Sequence, residues 1–162
     1  KEWVTIEGEL LFHEKEKIDI CVIKLSKHIC EDFAIEKAEE IAFGQDLFML
    51  GFPYGLYTEF TKSLSKFPFP FLKKGCLSGA ITNDEHGTMY FLDGHNNKGF
   101  SGGLVCYMNP KTNKPLMVSV ISGYIPQEGQ IKTPYGDWKY NENSGIVITY
   151  SIKHAFEIIE NN

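Results

Sequence analysis

The sequence predicts an all-β fold that ends in one short helix. β-branched and aromatic residues dominate, and Gly, Pro and Asn interrupt them at short intervals, which is the pattern of many short strands. Eight segments have this pattern, at about 3–12, 18–25, 43–51, 74–82, 89–92, 102–108, 116–125 and 144–150. Six of them follow residue 42, and six strands can close a small antiparallel barrel, whereas the first two alone would leave unpaired edges.

Two segments have helical features. Residues 30–43 are acidic and loosely periodic, and we interpret them as a linker with a helical turn. Near the C-terminus, Ser151 is placed to cap a helix. The apolar residues that follow it have spacing i, i+3, i+4 and i+7: Ile152, Ala155, Phe156 and Ile159. This predicts a closing amphipathic helix, while residues 52–73, rich in aromatics and prolines, are predicted to form a surface loop.

The composition excludes several classes of protein. The length of 162 residues fits one domain, and a hydrophobic fraction of 43% is ample for a core. The apolar runs are far shorter than the roughly 18 residues that cross a bilayer. With a net charge of -5 and scattered lysines, the chain lacks the basic footprint of phosphate-backbone binding. We expect no membrane span and no nucleic-acid partner.

The cysteines and the acidic clusters do not predict a metal site. Cysteines at positions 21, 30, 76 and 106 match neither zinc-ligand spacing nor a dense disulfide framework. We expect reduced, buried thiols, a usage more typical of a cytoplasmic protein, although the localisation itself is not predicted. The adjacent residues Asp84, Glu85 and His86 are interpreted as a solvated hairpin tip. No metal or organic cofactor is predicted.

The functional prediction begins with "GFSGG", residues 99–103, where three glycines surround a serine. A hydroxyl is a poor nucleophile, so an acylating serine needs a base beside it and donors aimed at the oxyanion it creates. The N–H groups of Gly99 and Ser101 can converge on one point if Gly99 takes a conformation that side chains disfavour. Gly102 and Gly103 then let substrate and strands come close. The alternative is a glycine-rich turn with an incidental serine.

The same stretch also satisfies G-x-S-x-G, the nucleophile elbow of α/β-hydrolases. Asp137 and His154 follow in the order that this fold requires. The elbow needs a helix directly after the serine, however, and here the residues after Ser101 are predicted to form a strand that runs into an Asn-Pro turn. We therefore disfavour this interpretation.

Four segments together resemble trypsin-like serine peptidases, especially HtrA-type and related bacterial domains. "DGHNNKGFSGGLV" resembles their G-x-S-G-G signature, and "KIDICVIKL" at 17–25 resembles the strand that carries the triad aspartate. "LMVSVISGY" resembles the strand that lines the substrate cleft, and "SGIVITYSIKHAFEII" resembles the last strand and closing helix. The 82 residues from Asp19 to Ser101 are also typical of that family.

The resemblance implies a chymotrypsin-like double β-barrel. Residues 1–30 would be the last strands of an incomplete N-terminal barrel, followed by a linker at 31–42. Residues 43–150 would form a complete C-terminal six-stranded barrel, and 151–162 the closing helix. The implied activity is that of a serine endopeptidase that hydrolyses peptide bonds through an acyl-enzyme, with a polypeptide as substrate.

The resemblance also implies roles for individual residues. Ser101 would be the nucleophile, Asp19 would orient a histidine base, and the N–H groups of Gly99 and Ser101 would form the oxyanion hole. Asp19 lies between two isoleucines, where the alternative is an edge residue or an ion-pair partner. His95 would lie at the floor of the primary specificity pocket. The cleft strand would contribute further substrate-binding residues: Ile121, Ser122 and Gly123.

The general base is where the sequence departs from the family. The triad histidine should precede Asp19 by many more than the eighteen residues found here. His13 lies on a turn between two predicted strands, which is the wrong place for the base, and the other histidines are expected to be solvated or locally hydrogen-bonded. We expect the base to belong to a missing N-terminal segment, acting in cis or in trans, and the chain alone to be inactive. The alternative is a non-catalytic pseudo-peptidase barrel that binds a protein partner.

Overall fold

The computed structural model describes residues 5, 7–29, 36–58 and 68–162. Within these ranges the chain forms nine strands and one α-helix. In chain order they are β1 Gly8–Phe12, β2 Cys21–Leu25, β3 Glu36–Lys37, β4 Asp46–Gly51, β5 Phe71–Asn83, β6 Gly87–Asp93, β7 Leu104–Met108, β8 Pro115–Thr133, β9 Gly136–Ser151 and α1 Lys153–Glu160. A short 3₁₀ turn, Pro53–Gly55, follows β4.

Strands β4 to β9 form a closed ring of six antiparallel strands. The order around the ring is β8, β7, β4, β5, β6 and β9, and β9 pairs again with β8. The short strand β3 adds to β8 in parallel. Closure leaves each of the six with a partner on both sides along part of its length, which is how a barrel removes exposed edges. The predicted all-β fold with a six-stranded barrel is confirmed.

The barrel interior is filled by alternating apolar side chains from the ring. The fully buried members include Leu47, Met49, Leu92, Val105 and Val147. Each buried aliphatic side chain of this size contributes about 1.5–3 kcal/mol relative to exposure. Phe100, which lies next to the serine in sequence, is also fully buried in this core. The turn that carries Ser101 is therefore anchored to the barrel by its neighbour.

The hairpin β1–β2 is a separate two-stranded sheet that packs on the outside of the ring. Ile18 and Ile20, just before β2, are buried against Tyr150 of β9 and Ile158 of α1. The Tyr150 hydroxyl donates to the backbone oxygen of Lys17 at 2.9 Å. This second core fixes the segment around residue 19 relative to the barrel.

Several element boundaries differ from the prediction. β8 and β9 continue far beyond the expected 116–125 and 144–150 as a long hairpin arm that extends from the barrel. Its polar, largely exposed residues lack the alternation of a half-buried strand, so the pattern did not identify them. Within 30–43, residues 36–37 form β3 and the described remainder contains no helix, so the predicted helical turn is not found there. Residues 30–35 lie outside the described residues.

The closing helix is confirmed, with corrections to its start and its buried face. It begins at Lys153 with Ile152 as the residue before it, while Ser151 is the last residue of β9 and its Oγ accepts the Lys153 N–H at 3.3 Å. The buried residues of α1 are His154 and Ile158, whereas Ile159 is 54% exposed. The predicted apolar stripe was wrong at Ile159 because the helix packs through a different face.

In the part of the chain that the structure describes, no helix is both long enough and apolar enough to span a bilayer.

Candidate active site

The turn that carries Ser101 has an unusual backbone. Gly99 has φ +100° and Gly102 has φ +79°, conformations that side chains rarely adopt. A side chain at Gly99 would collide with the backbone oxygen of Phe52, and one at Gly103 with that of Leu50. Convergence of the Gly99 and Ser101 N–H groups requires such a conformation at Gly99, and the structure has it. Ser101 itself is exposed.

The peptide groups that contain the N–H of Gly99 and of Ser101 are each held by a hydrogen bond to their carbonyl oxygen. The backbone oxygen of Lys98 accepts the Tyr54 N–H at 2.8 Å, and that of Phe100 accepts the Gly103 N–H at 2.8 Å. Because the C=O and N–H of a trans peptide point in opposite directions, the next N–H in each case points away from that hydrogen bond. Neither N–H has an acceptor among the described residues.

Asp19 lies just before β2 and is exposed between two buried isoleucines, which hold its backbone in place. Its Oδ2 accepts a hydrogen bond from Ser122 Oγ at 2.6 Å, and in the described part of the chain its Oδ1 has no partner. Burial raises the pKa of Tyr150, and the negative charge of nearby Asp19 raises it further. The predicted strand 18–25 begins only at Cys21, so Asp19 sits on an irregular bend that frees its carboxylate.

Ser122 brings the two predicted catalytic residues together. The Ser101 Oγ donates to the backbone oxygen of Ser122 at 3.0 Å, while the Ser122 hydroxyl donates to Asp19. Ser122 is the extra residue of a β-bulge in β8, since Ile121 pairs with Thr149 and Gly123 with the adjacent Ile148. A bulge re-aims the side chain of its extra residue. The nucleophile candidate and the carboxylate thus share one neighbour.

A cavity of about 600 Å³ adjoins Ser101. Three asparagines, two tyrosines, His95, Lys98 and Gly123 complete its described lining. Of the predicted substrate-binding residues, His95 and Gly123 line this cavity. Ile121 does not, because its side chain is 1% exposed and belongs to the barrel core. Its contribution is through the backbone, which exchanges hydrogen bonds with Gly102 and Gly103.

A second polar cluster lies between the β1–β2 connection and α1, beside a cavity of about 440 Å³. His13 Nε2 and His154 Nδ1 both contact Glu157 Oε2, at 3.0 and 2.8 Å. The other ring nitrogens accept backbone N–H groups, from Lys15 to His13 at 3.0 Å and from Thr88 to His154 at 2.9 Å. Each imidazole therefore carries its proton on the nitrogen that faces Glu157.

This tautomer pattern does not suit a metal ion, although the three ligand atoms lie within 4.8 Å of one another. A metal-bound histidine normally donates its second N–H to an acceptor, whereas here both second nitrogens are themselves acceptors. Burial acts to raise the pKa of Glu157, but the hydrogen bonds from His13 and His154 outweigh it and hold that pKa below the usual value. The cluster is a hydrogen-bonded clamp between the N-terminal segment and α1.

The structure also bears on the other predicted roles. His13 and His154 are committed to Glu157, and His86 lies next to Glu85 at the β5–β6 turn, so none of these three is the partner of Asp19. After Ser101 the chain enters strand β7, which excludes the helix of a nucleophile elbow.

The thiols differ in part from the expectation. Cys21, Cys76 and Cys106 are free thiols, and Cys106 is buried, but Cys21 is exposed because it faces away from the second core. Burial raises the pKa of the Cys106 thiol. Cys30 lies outside the described residues.

Sequence reasoning missed the residues that shape the cavity wall. Asn96 is 3% exposed, and its Nδ2 donates to the backbone oxygen of Gly123 at 3.2 Å. Lys73 of β5 donates to the backbone oxygen of His95 and to Asn97 Oδ1, at 2.7 and 2.5 Å. These contacts join residues far apart in sequence, and the isolated Asn and Lys gave no local signal.

Comparison with solved structures identifies the fold. No protein-family model matches the sequence, and no curated protein matches it. Two structures of an HtrA-type protease, an AlgW variant with a tripeptide and with a decapeptide, are each 14% identical and cover 95% of this chain, with TM-scores of 0.61 and 0.62. A variant of Rv3671c from M. tuberculosis H37Rv, in an inactive form, is 13% identical over 96% of the chain, with a TM-score of 0.59.

The matches cover the solved chains only in part. This chain spans 42% and 39% of the two HtrA-type chains, and 64% of the Rv3671c chain. At this level of identity the likeness concerns the fold. The chain has a chymotrypsin-like β-barrel of the type found in HtrA-type proteases.

Proposed function

We propose that this chain forms part of a serine endopeptidase that cleaves polypeptides through an acyl-enzyme. The observation that carries the proposal is the position of Ser122, which contacts both the Ser101 hydroxyl and the Asp19 carboxylate beside a cavity. The β1–β2 hairpin would then represent the last strands of a first barrel, and the ring β4–β9 the second.

In the proposed reaction Ser101 Oγ attacks the carbonyl carbon of the scissile bond. Its proton passes to a histidine, and the N–H groups of Gly99 and Ser101, which have no acceptor among the described residues, donate to the oxyanion that forms. The C–N bond breaks as the imidazole returns the proton to the leaving amine. Water then attacks the ester by the same route, which releases the acid and restores Ser101.

The histidine is proposed to come from a segment outside these 162 residues. Asp19 Oδ1 is free within the described residues and would accept an imidazole N–H, while Ser122 holds Oδ2. The Ser101 hydroxyl, which donates a hydrogen bond to the Ser122 carbonyl in this structure, would turn towards the imidazole.

The proposal is tested by labelling the natural full-length protein with a fluorophosphonate probe, which reacts with activated serines. We expect labelling of the wild type and none of Ser101→Ala, because an unactivated serine does not react at a useful rate. Ser78→Ala removes another exposed serine, on β5, and serves as the matched control that should label normally.

Equal labelling of Ser101→Ala and wild type would overturn the proposal. A folded full-length protein, verified by circular dichroism, that labels at no serine would favour the second candidate function, a pseudo-peptidase that binds a protein partner in the same cleft. The observation that favours this second candidate is that Ser101 Oγ donates to a backbone carbonyl rather than to a base.

A further inference from the structure

In the wall of the cavity beside Ser101, the side-chain amide oxygens already accept hydrogen bonds. Asn97 Oδ1 accepts from Lys73, Asn96 Oδ1 from Asn143 at 3.3 Å, and Asn143 Oδ1 from the backbone N–H of Gly145 at 2.9 Å. All three side-chain amide oxygens of the lining are therefore engaged within the wall itself.

The backbone oxygens of the same wall are engaged as well. Those of His95 and Asn96 accept from Lys73 and Asn143, and those of Lys98 and Gly123 accept from Tyr54 and Asn96. A ligand that brings hydrogen-bond donors, such as an ammonium or guanidinium group, finds no unshared acceptor at these positions.

Several of the groups that remain available can donate hydrogen bonds. Lys98 Nζ has no partner among the described residues, and the Tyr54 oxygen accepts from Asn97 Nδ2 at 3.3 Å, which leaves its own proton free. His95 lines the cavity with an imidazole that makes no hydrogen bond within the described residues. The cavity is consequently matched to a group that accepts hydrogen bonds.

The charges around the cavity support the same conclusion. Lys73 is half-buried, and its ammonium contacts two neutral oxygens and lies 5.3 Å from the centre of the Phe100 ring. It forms no ion pair with a carboxylate of the described residues, and neither does Lys98. The described lining itself contains no Asp or Glu. Although the whole chain has a net charge of -5, the described lining contains one lysine and no carboxylate, and a second lysine, Lys73, is hydrogen-bonded to it.

We infer that the cavity takes an acidic side chain, Glu or Asp, of the residue that supplies the scissile carbonyl. This inference rests on the proposed function, because it assigns the side chain next to the bond that Ser101 attacks. A carboxylate can accept hydrogen bonds from the free donors and can also balance the positive charges of Lys73 and Lys98. A neutral amide can accept the hydrogen bonds but leaves the charges unbalanced. A basic side chain would face like charges and occupied acceptors.

The first test maps the cleavage sites of the natural full-length protein in a peptide library by mass spectrometry. We expect Glu or Asp before the cut and a deficit of Lys and Arg. Lys98→Glu should lower kcat/KM for a Glu-containing peptide at least about tenfold, because a like charge replaces the rim cation. Lys111→Glu, at the exposed β7–β8 turn, is the matched control and should leave it unchanged.

The second test separates this inference from the proposed function. Ser101→Ala protein is titrated with N-acetylated peptides that differ only in a C-terminal Glu, Gln or Lys, and binding is followed by calorimetry. We expect the Glu peptide to bind most tightly and its advantage to shrink with added salt. Tighter binding of the Gln or Lys peptide would overturn the inference even where Ser101 of the wild-type protein labels. If the Glu peptide binds preferentially but the wild-type protein is never labelled by the fluorophosphonate probe, the cavity assignment is supported and the proposed peptidase function is rejected.

Discussion

Two polar networks connect the N-terminal segment to the barrel, and they differ in how completely their groups are paired. In the His13–Glu157–His154 clamp every ring nitrogen has a partner, and two backbone N–H groups are used as well. In the Asp19–Ser122–Ser101 network one carboxylate oxygen and two turn N–H groups have no partner in the described residues. Both networks are made from common side chains.

The difference indicates what each network is for. Polar groups held in folded proteins are normally paired, so a fully paired network stabilises the fold. Unpaired donors beside a cavity, held by a strained turn at Gly99, are instead available to a ligand. The second network is therefore expected to control chemistry and the first to control stability.

The largest expected effect comes from Asp19→Asn in the natural full-length protein. An amide of similar shape keeps the Ser122 hydrogen bond but removes the charge that stabilises an imidazolium, so kcat should fall by roughly 10⁴-fold. The free energy of unfolding should change little, since Asp19 is exposed. Rates are measured on a cleaved peptide and stability by urea unfolding.

Asp137→Asn is the matched control for this experiment. Asp137 is an exposed acid on β9 that accepts a hydrogen bond from Gln130 at 2.8 Å, and it is the acid that the nucleophile-elbow interpretation would require. The Asp137→Asn substitution should leave kcat unchanged. A loss of activity on Asp137→Asn together with a normal Asp19→Asn would reverse the roles assigned here.

His154→Ala should have the complementary effect on the clamp. It leaves the Thr88 N–H without its acceptor and removes a donor to Glu157, so we expect the protein to lose about 2–3 kcal/mol of stability. Fluorophosphonate labelling of the folded protein should persist. His86→Ala, at the β5–β6 turn, should change stability by less than about 0.5 kcal/mol. Unchanged stability or lost labelling on His154→Ala would contradict the assignment.

The sequence predicted the barrel because its strands have local patterns. The segments that form β4 to β7 alternate or consist of β-branched and aromatic residues between turn residues, and their pairing into a ring follows from their number. The arm of β8 and β9 was missed because cross-strand pairing, such as Ile131 with Trp138, and not burial holds it in strand conformation. Pairing between distant residues leaves no periodic signal.

The same distinction applies to the site. Ser101 and Gly99 could be proposed from the sequence because five consecutive residues contain the whole motif, and Asp19 because a carboxylate between two isoleucines calls for a partner. Ser122 was expected only to line the cleft, since a bulge depends on register with β9 and is not visible in β8 alone. The clamp was missed because it joins residues 13 and 157. His154, expected to be solvated or locally hydrogen-bonded, is buried and does form a local hydrogen bond with Glu157.

The smallest expected effect is the pH dependence of the stability that Glu157 contributes to the clamp. The pKa of Glu157 is lower in the folded protein than its usual 4.5, so its carboxylate contributes stability that is present above pH 4.5 and is lost as the pH falls through the folded value. Glu157→Gln should therefore be less stable at neutral pH, by under about 1 kcal/mol because the side chain is half-exposed, and the deficit should shrink below pH 4.5. Urea unfolding at a series of pH values measures the stability difference between the wild type and Glu157→Gln. When both proteins also contain His13→Ala, the pH-dependent part of this difference should be smaller. A deficit that stayed constant down to pH 3 would mean that Glu157 acts by packing and not through its charge.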